Sequence, residues 1–251
     1  MGRETLIGSR ATGFQTEAEL VAAYVRYSAR RNPKDVFRLE LKTEDGIADI
    51  VQARLTGSAQ TLRDLRMIAP RWAYALRKIP YRVVFGTENF QAFAGVSRGT
   101  ALRALRTFAE LGFCRKTSAQ KWIKVRQPKS ATRKVVAIEA KLSDWKRALR
   151  QAYRYQAFAN QVWVLLDEKF SKSAKRQLQL FQRLNVGLVT LSPGQAPRKL
   201  FTPAQRSPRS ELVYWYVNSM IARELRSDEL AVVRTNSVKP RLKMRAKAVR
   251  V

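Results

Sequence analysis

Histidine is absent from the 251 residues, and cysteine occurs once, at Cys114. A disulfide within the chain is therefore excluded, and so is a Cys/His zinc site. Hydrolases built on a histidine base, of the Ser-His-Asp or Cys-His kind, are excluded with it. Catalysis here has to rest on carboxylates, lysine, tyrosine, Ser/Thr or a hard metal ion. Acidic residues are scarce too: 19 Asp and Glu stand against 49 Lys and Arg, for a formal charge of +30. No uninterrupted apolar run approaches the roughly 18 residues of a membrane span. The first residues carry no long apolar core of the secretory type. The expectation is a cytoplasmic protein without a membrane partner. No solenoid-type repeat is visible.

What is present points elsewhere. A hydrophobic fraction of 45% is enough for a sizeable core, and the length suits one large domain or two small ones. The positive charge is spread along the whole chain and implies a polyanionic partner, most commonly nucleic acid.

Thr16-Glu17-Ala18-Glu19 fits a capping box, with Thr16 as N-cap and Glu19 at N3. The helix it opens carries Leu20, Val21 and Tyr24 at helical spacing, with Glu17 one turn before that apolar face. Residues 36–41 and 47–55 read as strands joined at Asp45-Gly46, a strong hairpin signal. Asp49 lies inside the second strand, where propensity disfavours it. Residues 57–132 change character. Helices are expected over 61–69, 71–78, 88–94 and 97–111, followed by short basic strands at 113–116 and 121–125. Short helix, turn, longer helix and hairpin is the order of a winged helix-turn-helix. Its longer helix carries Arg98, Thr100, Arg103 and Arg106, and its wing carries Lys121, Trp122 and Lys124. These are the residues expected to meet nucleic acid.

After a linker at 127–133, residues 134–141 read as a central strand. Val136, Ile138 and Ala140 line one face, and Val135, Ala137, Glu139 and Lys141 the other. A carboxylate and an ammonium at the end of a buried strand are costly without partners. A helix from Ser143-Asp144 to about 159 carries Gln151 and Tyr155 on its inner stripe. A strand at 161–166, a helix at 173–184, a strand at 186–191, an irregular basic stretch at 198–210 and a helix at 212–225 follow. The expected organisation is one discontinuous mixed α/β domain, residues 1–56 with 133–228. It holds an insert at 57–132 and is followed by a basic tail at 229–251.

The ordered set of Asp49, Glu139-x-Lys141 and Gln151-x-x-x-Tyr155 resembles the PD-(D/E)XK, or restriction-endonuclease-like, nuclease superfamily. Gly46-x-x-Asp49 and the Gln/Tyr pair resemble its RecB-type branch. Ala48 stands where that family has a proline before its first acid. The resemblance covers about residues 14–56 and 133–192, and the insert separately resembles winged-helix DNA-binding domains. It implies an α/β fold with an αβββαβ core and a metal-dependent DNA endonuclease. The catalytic set would be Asp49, Glu139, Lys141, Gln151 and a helix acid. Glu17 and Glu19 both match that acid; facing favours Glu17.

The residue types suit phosphodiester hydrolysis. Asp49 and Glu139 are hard oxygen ligands for Mg²⁺ or Mn²⁺, which activates water and neutralises phosphate charge. Lys141 would either orient the water or stabilise developing charge, and Gln151 would hold Lys141 or a phosphate. The alternative is a non-catalytic DNA-binding regulator or subunit on a degenerate nuclease scaffold. DNA is the expected partner in both. A homodimer and a place in a larger DNA-processing complex are both open.

Overall fold

The computed structural model describes residues 13–56 and 58–225; the basic tail expected at 229–251 lies outside the described residues. The fold is mixed α/β. Its main sheet has six strands in the order β1-β2-β6-β7-β8-β9. These are β1 (Asp35–Thr43), β2 (Gly46–Leu55), β6 (Thr132–Lys141), β7 (Gln161–Asp167), β8 (Gly187–Leu191) and β9 (Arg198–Phe201). β1, β2 and β6 pair antiparallel, β6, β7 and β8 parallel, and β8 and β9 antiparallel.

Alternation along β6 divides two cores. Val135 and Ala137 join a large core with α6 (Trp145–Arg154) and α9 (Glu211–Arg223). Val136, Ile138 and Ala140 join a smaller one with Trp163, Leu165 and Val189, covered by Leu20 of α1 (Glu17–Arg31). Both faces of β6 are thereby buried, as a near-continuous apolar strand requires.

β2 and β6 are neighbours in the sheet although residues 56–131 separate them in sequence. That intervening stretch contains α2 (Ala59–Met67), α3 (Pro70–Lys78), β3 (Val84–Phe85), α4 (Thr87–Ala94), α5 (Arg98–Glu110), β4 (Cys114–Lys116) and β5 (Trp122–Lys124). β3, β5 and β4 form a second sheet, in that order. α4 ends on Gly95 in the left-handed conformation, φ 63°, and Ser97 caps α5. α2 and α3 pack on α9, so the apolar core runs on from the intervening stretch into the rest of the chain. Among the described residues no helix is long and apolar enough to cross a membrane.

Several boundaries differ from the sequence reading. The helix expected to reach 159 leaves the α conformation at Arg154 and tightens into a 3₁₀ turn over Tyr155–Ala157. The tightening delivers Asn160 to β6, where its N–H donates to the Val135 carbonyl and its Oδ1 accepts from Val135 N, both at 2.8 Å. The helix expected at 173–184 is two, α7 (Lys172–Arg176) and α8 (Leu178–Leu184), because Gln177 breaks the run. The stretch expected to be irregular at 198–210 begins with the edge strand β9. Its cationic residues Arg198 and Lys199 are the kind that protect an exposed sheet edge. The expected linker at 127–133 is shorter, since β6 starts at Thr132.

Candidate active site

β2 and β6 separate at one end of their ladder. Paired positions run from Leu55 and Thr132 to Ile50 and Ile138 and stop there. Beyond that point the backbone N–H of Ala140 has no strand partner on β2. Asp49 takes its place, Oδ2 accepting from Ala140 N at 2.7 Å. This is the physical reason for an aspartate inside a strand: its side chain replaces a backbone acceptor where the sheet splits. On the other side of β2, the β1 register passes from Leu39–Ile50 to Leu41–Ala48, so Glu40 lies across from Asp49. Glu40 adopts a left-handed φ of 50°.

Charged side chains gather at this end of β6. Lys141 Nζ donates to Glu17 Oε2 at 3.0 Å and lies 3.2 Å from Glu139 Oε1 and 3.8 Å from Asp49 Oδ2. Three carboxylates from α1, β2 and β6 thus converge on one ammonium. Asp49 and Glu139 both lie within 3.8 Å of the same nitrogen, so they are near neighbours. Glu17 is the helix acid of this cluster. Glu19 instead accepts from Gln15 N at 2.9 Å, while Thr16 Oγ1 accepts from Glu19 N, as a cap does.

Glu139 is 1% exposed and is held from below by Tyr155. The phenol hydroxyl donates to Glu139 Oε2 at 2.7 Å and is also in very close contact with the Ile47 carbonyl. A phenol has one proton for these two acceptors. Its access to Ile47 runs beside Gly46, whose φ of 129° favours glycine; a Cβ built there lies 3.6 Å from the Tyr155 ring. Gln151 lies one helical turn before Tyr155, on the same face. Its Oε1 is buried and accepts no hydrogen bond among the described residues. The expected contact from Gln151 to Lys141 is not made: the Lys141 ammonium bonds Glu17 and the Ala140 carbonyl.

The electrostatics follow from crowding. Burial pushes the Asp49 carboxyl up, the Ala140 N–H and Lys141 pull it down, and Glu17 and Glu40 push it up again. Burial also raises Glu139, with Asp49 adding to it and Tyr155 and Lys141 opposing. For Lys141, burial works against the charge. The hydrogen bond to Glu17 and the charges of Asp49 and Glu139 outweigh it, and the pKa is raised. Lys141 is therefore an ammonium throughout the neutral range. Tyr155 is raised by burial and by its bond to Glu139, so it stays protonated as a donor.

Three carboxylates against one ammonium leave this corner with a negative excess inside a chain of charge +30. A divalent cation fits that excess. Among the described residues no group of three or more His, Cys, Asp or Glu side chains is placed to enclose a metal. The hard oxygens nearest this ammonium on the sheet are those of Glu139, which is buried, and Asp49, which is half-buried. This suits Mg²⁺, which keeps several waters and binds through one or two carboxylates.

The residues expected to meet nucleic acid divide. Arg98, Arg103 and Arg106 are exposed along α5. Thr100 is half-buried, its Oγ1 accepting from Arg103 Nη2 at 3.3 Å. Lys121 is exposed in the turn between β4 and β5. Trp122 and Lys124 are not available: they are 4% and 2% exposed. Residues two apart on a strand share a face, so Lys124 follows Trp122 inward. There its ammonium donates to the carbonyls of Leu76 at 3.1 Å and Arg77 at 3.3 Å, and to that of Ile79. These carbonyls end α3, where a cation is favoured. Arg115 and Lys116 of β4 are exposed as well.

Sequence reasoning left Glu40 and Tyr155 outside the expected site set. Tyr155 was signalled by its spacing from Gln151, whereas no sequence signal singled out Glu40. Comparison with protein-family models, curated proteins and solved structures finds no match to this chain.

Proposed function

We propose that the protein is a metal-dependent DNA endonuclease. Its core would be restriction-endonuclease-like, and the stretch from β3 to β5 would act as a winged-helix reader. The observation that carries this reading is the convergence of Glu17, Asp49 and Glu139 on Lys141 Nζ, at 3.0, 3.8 and 3.2 Å, where β2 parts from β6. Asp49 and Glu139 would hold Mg²⁺ or Mn²⁺. When bound, such an ion supplies charge neutralisation on the phosphate and a water of lowered pKa. Lys141, kept protonated by its acids, is not a general base; it donates hydrogen bonds to the water or to a phosphate oxygen and offsets developing charge. Tyr155 keeps Glu139 oriented from beneath. Gln151 offers an unoccupied acceptor one turn away. Arg98, Arg103, Arg106 and Lys121 would contact DNA.

A second reading has its own support. Lys141 already partners all three acids, and among the described residues no group of three or more metal-type side chains is placed to hold an ion. That balance also suits a non-catalytic DNA-binding regulator. Supercoiled-plasmid nicking, with calorimetric titration of Mg²⁺ and Mn²⁺, separates the two. The expected result is nicking that EDTA abolishes. It should be lost in Asp49→Ala, Glu139→Ala and Lys141→Ala, with DNA binding kept in all three. Metal binding should survive only in Lys141→Ala. Arg98→Ala and Arg103→Ala should weaken DNA binding instead. Wild-type protein that binds DNA and no metal, and cuts neither duplex, branched nor single-stranded substrate, refutes the endonuclease reading.

A further inference from the structure

The cluster around Lys141 occupies one end of β6; the other end begins a groove of a different character. Lys134 lies about 23 Å from Lys141 at the rise of a strand. α1 spans the same interval, from Glu17 at the cluster to Arg31 at the groove, about 21 Å at the rise of a helix. The groove has a volume of about 660 Å³ and runs between the C-terminal half of α1 and the α1-facing side of the sheet, with β9 as its rim. That is the size of small-molecule sites.

Its charge is one-sided. Arg31, Arg54, Lys134 and Lys199 line it, with Asp35 as the acid among the lining residues. Asp35 is already engaged, accepting from Gln52 Nε2 at 2.6 Å and ion-paired with Arg54. Lys134 and Lys199 make no ion pair among the described residues. Lys134 is half-buried. Burial lowers its pKa, and Lys199 and Arg54 add to that against the pull of Asp35. Like charges gathered in a half-buried groove destabilise the fold unless an anion joins them.

The walls are aromatic. Lys199 Nζ lies 5.5 Å from the Trp163 ring centroid. That ring in turn lies against Gly187, where a Cβ would come within 2.3 Å of it. Trp163 thereby holds Lys199 over the sheet. Tyr24 and Tyr27, one turn apart on α1, also line it; the Arg31 guanidinium lies 5.5 Å from the Tyr27 ring centroid, and Tyr27 Oη accepts from Arg31 Nε at 3.1 Å. Paired cations and aromatic rings lining one groove match a phosphate attached to a flat ring.

We propose that this groove is a nucleotide-binding site separate from the Lys141 cluster, with the phosphate held between Lys134 and Lys199 and the base against Tyr24 and Tyr27. The ligand is a nucleotide, either free or as a unit of a single strand. The site does not depend on cleavage, so it is tested in EDTA, where the Lys141 cluster has no metal.

The experiment is calorimetry at about 0.15 M salt, where exposed charges are well screened. The probes are inorganic phosphate, adenosine monophosphate, a decathymidylate strand and a blunt duplex. The proteins are wild type, Lys134→Gln/Lys199→Gln, Lys134→Arg, Tyr27→Leu, and the charge-matched control Lys172→Gln/Arg183→Gln on another surface. The mononucleotide or the strand should bind wild type, control and Lys134→Arg alike. Affinity should fall at least tenfold in Lys134→Gln/Lys199→Gln and measurably in Tyr27→Leu. Mononucleotide binding marks a free-nucleotide site, and strand binding without it marks a strand site. Equal losses in the groove variant and the control, or no binding of either probe to wild type, overturn the proposal. So does phosphate binding as tight as the nucleotide with Tyr27→Leu unchanged. Absence of plasmid nicking by the wild-type protein, with groove binding intact, counts against the endonuclease reading and leaves this one standing.

Discussion

Tyr155→Phe tests the centre of the site with the smallest possible change. The variant keeps the ring, which is fully buried, and removes only the hydroxyl that donates to Glu139 Oε2 at 2.7 Å. Because Glu139 is itself 1% exposed, no water replaces the donor. A hydrogen bond to a charged acceptor is worth about 1.5–3 kcal/mol. For a chain of this size, a loss of about 2 kcal/mol lowers Tm by about 4–8 °C. The Tyr155 hydroxyl also holds the Glu139 pKa down, so its loss shifts Glu139 further toward the protonated form. The destabilisation should therefore be largest at neutral pH and shrink near pH 4, where carboxyls protonate anyway. Urea unfolding across that range measures it. A double-mutant cycle sharpens it: in a Glu139→Gln background, Tyr155→Phe should lose much of its effect. A change below about 0.5 kcal/mol in the wild-type background, within the range of ordinary surface substitutions, would refute the view that Tyr155 sustains the Glu139 carboxylate. An equal change in both backgrounds would do the same.

Two further perturbations follow from the same physics. Asp49→Asn keeps a side-chain oxygen for the Ala140 N–H but deletes a charge that the fold disfavours. The native pKa values of Asp49 and Glu139 are raised, so the folded state binds more protons than the unfolded one above the ordinary carboxylate range. Stability from these groups therefore falls as pH rises from about 4 through the raised values. Asp49→Asn should accordingly be more stable than wild type at pH 7, with the difference closing toward pH 4 in thermal melts; a less stable variant at pH 7 would contradict the crowding argument. Lys124→Met should destabilise by about 2–3 kcal/mol, because it strands the carbonyls of Leu76, Arg77 and Ile79 at the end of α3. An unfolding curve superimposable on wild type would show that the buried ammonium contributes nothing.

The sequence by itself determined the parts whose signals are local. The capping box at Thr16, the alternation of 36–41 and 47–55 around Asp45-Gly46, and the apolar strand before Glu139 each express a period or a turn within a few residues. The order of Asp49, Glu139, Lys141, Gln151 and Tyr155 was likewise legible, since propensity already marked Asp49 as out of place. Pattern did not reveal that Asp49 replaces a backbone acceptor where β2 leaves β6, because that vacancy arises from strands far apart in sequence. Glu40 was silent for the same reason: it matters only through the pairing of β1 with β2, whose register sets it opposite Asp49. Lys124 read as a surface cation because lysine usually is one. Only the packing of β5 on the end of α3 turns it inward. Helix facing already favoured Glu17 over Glu19, and the structure sends Glu17 to Lys141 and Glu19 back to its own cap. The groove beneath α1 is wholly tertiary, its cations coming from α1, β2, β6 and β9. Local chemistry set the elements and the reactive side chains; long-range pairing, absent from any short window, decided which charges meet.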